Sequence, residues 1–105
     1  MKNHDVVFHP EASEEYATAL EWYTRCGKHL GQSFEQEIER AVQLVAASPE
    51  RWTKYGSAHR RILVRRFPYI LVYLLKGARV WIVAVAHGRR KPGYWRSRRV
   101  PTIQP

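Results

Sequence analysis

The spacing of apolar residues changes at Pro49, and that change limits the folds open to this chain more than any other feature. Before Pro49, two runs follow a helical period: Ala12, Tyr16, Ala19, Leu20 and Tyr23, then Leu30, Phe34, Ile38, Ala41, Val42 and Val45. After it, Arg61 to Phe67, Tyr69 to Leu75 and Val80 to Ala86 are short β-branched or apolar runs broken by Pro68 and Gly77. A helical hairpin followed by a three-strand meander is the direct reading.

Local signals set the ends of these elements. Asp5 to His9 reads as a short strand ended by Pro10, which is also suited to open a helix with Glu11, Glu14 and Glu15 at its positive dipole end. That helix is expected to run to Cys26, with Glu21 four residues before Arg25 and Gly27 as its stop. Ser48 and Pro49 end the second helix. The last two strands lack polar alternation, so both their faces are expected to be covered, one by the hairpin and the other by a partner chain. The expected fold class is α+β, with an N-terminal strand, a helical hairpin and an antiparallel three-strand meander in one sheet. A chain of 105 residues makes one domain spanning 1–105, with a frayed tail from Arg99 to Pro105.

Charge is split as sharply as period. All nine Asp and Glu lie at or before Glu50, whereas Lys and Arg divide as 4 before Arg51 and 14 from it onward, leaving −5 and +14 on the two parts. Solubility does not require 55 residues without an acid, so the C-terminal half is read as a surface for a polyanion or an acidic protein. A single Cys and five scattered His supply neither a disulfide framework nor zinc spacing, so no metal and no cofactor is expected. The N-terminus carries no signal-peptide core and no run is long enough for a membrane span, which points to a reducing, cytoplasmic setting without a membrane partner.

Chemistry-bearing residues concentrate where the last strand ends: His87, then Arg89, Arg90 and Lys91, then Tyr94, Trp95 and Arg96. Histidine is the one residue type here whose reference pKa, about 6.5, suits proton transfer near neutrality, which makes His87 a candidate, although a His after a buried strand is more often a capping residue. Trp95 reads as a latch over the core and Tyr94 as either latch or site residue. Arg65 and Arg66 flank the core, one facing each side, either solvated or paired with helix carboxylates, and Arg61 and Arg65 share a face if their strand is regular. Glu35, Glu37 and Glu39 read as the solvated side of the second helix. Trp22 and Trp52 read as packing residues, Trp81 as part of the sheet, and a Cys26/His87 nucleophile pair is improbable at that sequence distance.

The order of elements, the basic composition, and the stretches RRILVRRFPYILVYLL and VAVAHGRRKPGYW resemble the RelE/ParE superfamily of toxins from bacterial type II toxin-antitoxin modules, over about Val6 to Arg99. The resemblance implies a growth-arresting toxin neutralised by a cognate antitoxin. RelE-like members cleave mRNA in the ribosome, and ParE-like members bind DNA gyrase and trap it on DNA. For RelE-like, metal-independent cleavage the matching positions are Lys54, Arg61, Arg65, His87 and Tyr94, where cations would stabilise the phosphorane and His87 or Tyr94 would move protons. Arg60, Arg66, Arg89, Arg90, Lys91 and Arg96 are the remaining candidates for contact with a partner or polyanion. The absence of a carboxylate base from the second half favours gyrase as the target. The ribosome with its mRNA is the alternative, and an inactive RNA- or protein-binding relative is the third reading.

Overall fold

A computed structural model describes residues 3–101. Strand β1 (Asp5–Phe8) leads into helix α1 (Pro10–Cys26) and helix α2 (Lys28–Ala47), followed by β2 (Thr53–Lys54), β3 (Arg60–Val64), β4 (Tyr69–Lys76) and β5 (Arg79–His87). The strands form one sheet in the order β1-β5-β4-β3-β2. β1 runs parallel to β5, from Asp5 opposite Arg79 to Phe8 opposite Ile82, and the other pairings are antiparallel. The expected meander is therefore present as β3, β4 and β5. Of the expected frayed tail, residues 102–105 lie outside the described residues, and no described helix is long and apolar enough to cross a membrane.

Helix α1 starts where expected, capped by the His9 side chain, whose Nδ1 accepts the Glu11 N–H at 3.1 Å. Gly27 stops it, as expected, without adopting a left-handed conformation. Its φ of 173° is extended backbone, and the one residue serves as end of α1 and start of α2. The hairpin closes tightly because of another glycine. A Cβ on Gly31 would overlap the Thr24 hydroxyl and come within 3.0 Å of the Thr24 Cα.

One sheet face holds the main core. Ala12, Ala19 and Tyr23 of α1, with Phe34, Ile38, Ala41 and Val45 of α2, pack on Ile62, Val64, Leu71, Tyr73, Val80, Ile82 and Val85. Tyr73 ties this layer to the end of the hairpin, its buried hydroxyl donating to the Pro49 carbonyl at 2.6 Å. The expected helical stripes are correct except at Leu30, which is 38% exposed, and Trp22, expected as a packing residue, is 60% exposed.

The missing alternation in β5 has a local cause. Val72 faces Ala84 and Tyr73 faces Ile82, so Val83 is an extra residue, a β-bulge that turns both Val83 and Ala84 to the same side. That side is covered by the chain itself, not by the partner that the sequence led us to expect. Trp95, 1% exposed, lies in a second cluster with Val72, Trp81, Val83, Ala84 and Ala86. The latch role expected of Trp95 is what the structure contains. β3 also ends earlier than the run to Phe67 suggested. Arg66 takes a left-handed φ of 72° in the turn to β4, a conformation a strand cannot contain.

Candidate functional site

β1 is too short to pair with all of β5. Its last contact is His9 N–H donating to the Ile82 carbonyl at 2.8 Å, so the edge of β5 beyond Ile82 needs other partners. Two side chains supply them. Glu15 Oε1 accepts the Val85 N–H at 2.9 Å, and Arg98 Nη1 donates to the Val83 carbonyl at 2.9 Å. The two side chains also bind each other through parallel contacts, Nη1 to Oε1 and Nη2 to Oε2, both 2.9 Å. Tyr94 donates its hydroxyl to Glu15 Oε2 at 2.8 Å, and Arg90 reaches the same oxygen at 3.4 Å. One carboxylate on the second turn of α1 thus anchors three residues of the C-terminal segment.

The electrostatics follow from this packing. Burial alone would raise the Glu15 pKa, but donors from Arg98, Tyr94 and the Val85 amide more than offset it and hold the carboxyl below its ordinary value. Burial, then the bond to Glu15, pushes the Tyr94 phenol up to about 12. The guanidinium of Arg90 stacks over the Tyr94 ring at 3.6 Å and that of Arg98 lies 5.0 Å from the ring centroid. At this site Tyr94 is a neutral donor with a fixed acceptor, and Arg90 is tied to the same anchor.

The remaining candidates do not converge. His87 ends β5 with its Nδ1 accepting the Arg89 N–H at 3.0 Å and its ring edge-on to Tyr69 at 5.1 Å, a capping arrangement. Lys54 pairs opposite Arg60 and Thr53 opposite Arg61, which sets Lys54 and Arg61 on opposite faces of the sheet. Arg60 donates to the Trp52 carbonyl at 2.7 Å, whereas Arg61 lies over the Tyr55 ring at 4.8 Å. Arg61 and Arg65 were expected to share a strand face, but β3 stops at Val64 and Arg65 instead turns to Glu37 of α2 at 3.9 Å. Arg66, Arg89 and Lys91 are exposed, and Arg96 lies 5.8 Å from the Trp95 ring centroid. His59 packs against Trp95 at 4.5 Å, and burial, then the Arg96 charge, lowers its pKa.

Sequence reasoning missed Glu15, Arg98 and Glu37. Glu37 is not on a solvated face, since its side chain is only 11% exposed beside Arg65. The absence of acids from the second half was also an incomplete guide, because helix carboxylates reach two parts of the sheet, each answered by arginine. A Glu and an Arg 83 residues apart share no local pattern that could signal their contact.

Two of three comparisons with known proteins place this architecture. A search of curated protein sequences returns no match. Among solved structures, the chain is similar to one from the chromosomal ParDE TA system of P. aeruginosa, with a TM-score of 0.69 at 15% identity, covering 80% of this chain and 95% of that one. At that identity the likeness is one of fold. The family model described as ParE toxin of type II toxin-antitoxin system, parDE, matches residues 6–92, which takes in β1, the hairpin and all the strands of the sheet. The chain therefore belongs to the ParE toxin family of type II toxin-antitoxin systems.

Proposed function

We propose that this chain arrests bacterial growth from the cytoplasm, is neutralised by a cognate antitoxin, and acts by binding DNA gyrase rather than by cutting mRNA in the ribosome. The observation that carries the choice of target is the dispersal of the would-be catalytic groups. Lys54 and Arg61 lie on opposite faces, Arg65 is drawn to Glu37, and Tyr94 is committed to Glu15. Cleavage through a 2′-oxygen needs a proton-transfer group and phosphorane-stabilising cations around one phosphate. Binding needs only a rigid surface, and the C-terminal segment is clamped into one by Glu15 and Trp95.

The test is inducible expression of the chain and of a His87→Ala variant, each alone and with the antitoxin. Growth arrest by both, relieved by the antitoxin, is expected. Loss of arrest with His87→Ala at equal soluble level would favour the nuclease, whose proton transfer contributes about 10²- to 10⁴-fold. Normal growth with the wild-type chain would favour an inactive relative.

A further inference from the structure

Leu63 is the most exposed large apolar side chain among the described residues, at 70%, although it sits within β3 between Ile62 at 6% and Val64 at 2%. It pairs with Ile70 of β4 on the sheet face that turns away from the hairpin. The C-terminal segment covers that face over β4 and β5 through Trp95, and Leu63 belongs to neither apolar cluster. β2 pairs only with Arg60 and Arg61, which leaves the outer edge of β3 open from Ile62 to Val64. An apolar side chain at an open edge is a liability for a small protein unless something covers it.

The charges around it select the cover. Arg40, Arg61 and Arg66 line the same groove, and none of them forms an ion pair among the described residues. The groove's carboxylate, Glu37, is held against Arg65. The other exposed apolar pair, Trp22 and Leu30, lines a separate groove where Glu11 and Glu15 are set against Arg90 and Arg98, so its arginines are already answered and it offers no unpaired arginine to an acidic partner. An apolar centre with arginines at its rim is the composition of a protein-protein contact. Leucine offers a nucleic acid neither stacking nor a charge for its phosphates.

We infer that the patch centred on Leu63, with Arg61 and Arg66 at its rim, is the surface that docks on the target enzyme, at an acidic site containing an apolar pocket. This assignment rests on gyrase being the target. The partner covers the exposed leucine, and the arginines supply charge-led docking.

The test measures the concentration of purified chain that half-inhibits gyrase supercoiling of relaxed plasmid, for wild type and for the Leu63→Ala, Arg66→Gln and Trp22→Ala variants. Each is checked for an unchanged melting curve, as expected at exposed positions. Leu63→Ala is expected to require roughly tenfold more protein, the scale of losing one buried apolar anchor. Arg66→Gln should weaken inhibition mainly at low salt, and Trp22→Ala should match wild type. If Leu63 falls short of wild-type folding on truncation, Leu63→Met, which keeps volume and apolarity, must retain inhibition. Equal inhibition by Leu63→Ala overturns the assignment alone. Sensitivity of the arginine variant without the leucine variant overturns it in favour of a nucleic-acid contact. A wild-type chain that leaves supercoiling untouched overturns the gyrase reading and this assignment with it.

Discussion

Replacing Glu15 by Gln would remove one charge from the clamp on the C-terminal segment while keeping its shape. The Gln carbonyl can still accept from the Val85 amide, but its NH2 then stands where Oε2 accepted from Tyr94, so the Tyr94 hydroxyl must turn to accept instead of donate. What is lost is the answer to Arg98, whose side chain is 9% exposed and whose other carboxylate contact, Glu11, is 3.8 Å away and 58% exposed. Removing one partner of a buried pair costs about 3–5 kcal/mol, and the partial exposure of this one places the expected loss near the lower end, about 3 kcal/mol. Against a total stability of about 5–15 kcal/mol, that loss is large. At about 4–8 °C per kcal/mol for a domain of this size, Tm should fall by roughly 15 °C. Thermal and urea denaturation of the purified chain measure it, and hydrogen exchange should show the loss of protection concentrated in residues 88–101. The double variant Glu15→Gln with Arg98→Met should be more stable than the sum of the single changes, because it leaves no unanswered charge. A single-variant loss below about 0.5 kcal/mol, the usual range for an exposed pair, would refute the reasoning.

Other expectations follow from the same contacts. Because the Glu15 pKa is depressed in the folded chain, its stabilisation is complete above the ordinary carboxyl pKa of about 4.3 and is lost as pH falls through the folded value. His59 has a lowered pKa, so stability should also decline as pH drops below about 6.5, where the unfolded chain takes up a proton that the folded chain resists. Urea midpoints across pH 3–8 should show both declines, and Glu15→Gln should flatten only the more acidic one. Gly31→Ala should cost about 1–3 kcal/mol, because the new methyl meets Thr24 backbone that cannot rotate away; equal stability would show that the hairpin can open there. Trp95→Ala should cost about 3–5 kcal/mol and expose apolar surface detectable by dye binding, as the far sheet face loses its cover.

The elements were largely legible because each carries its own punctuation. Pro10, Gly27, Pro49, Pro68 and Gly77 mark breaks that depend on neighbours in sequence, and the structure changes direction at or next to each of them. Strand β2 was not legible, since two residues have no periodicity and become a strand only by pairing with Arg60 and Arg61. The bulge at Val83 was visible only as a failure of alternation, which was attributed to a partner chain when the cover was Trp95. Candidate residues fared similarly. His87 could be placed at a strand end, but which face each arginine takes depended on where β3 stopped, and that was decided by the left-handed turn at Arg66. Glu15 was read as a helix-dipole residue. Its role as the anchor of Arg90, Tyr94 and Arg98 is set by the short reach of β1, which leaves the end of β5 without a strand partner.

The most direct test of the account runs one preparation of the wild-type chain in parallel against gyrase with plasmid DNA and against programmed ribosomes. The account predicts lost supercoiling or trapped, cleaved plasmid, with the mRNA intact. Site-specific cuts in the mRNA with supercoiling unaffected would contradict it, since they would require the dispersed groups around His87, Arg61 and Lys54 to act together on one phosphate.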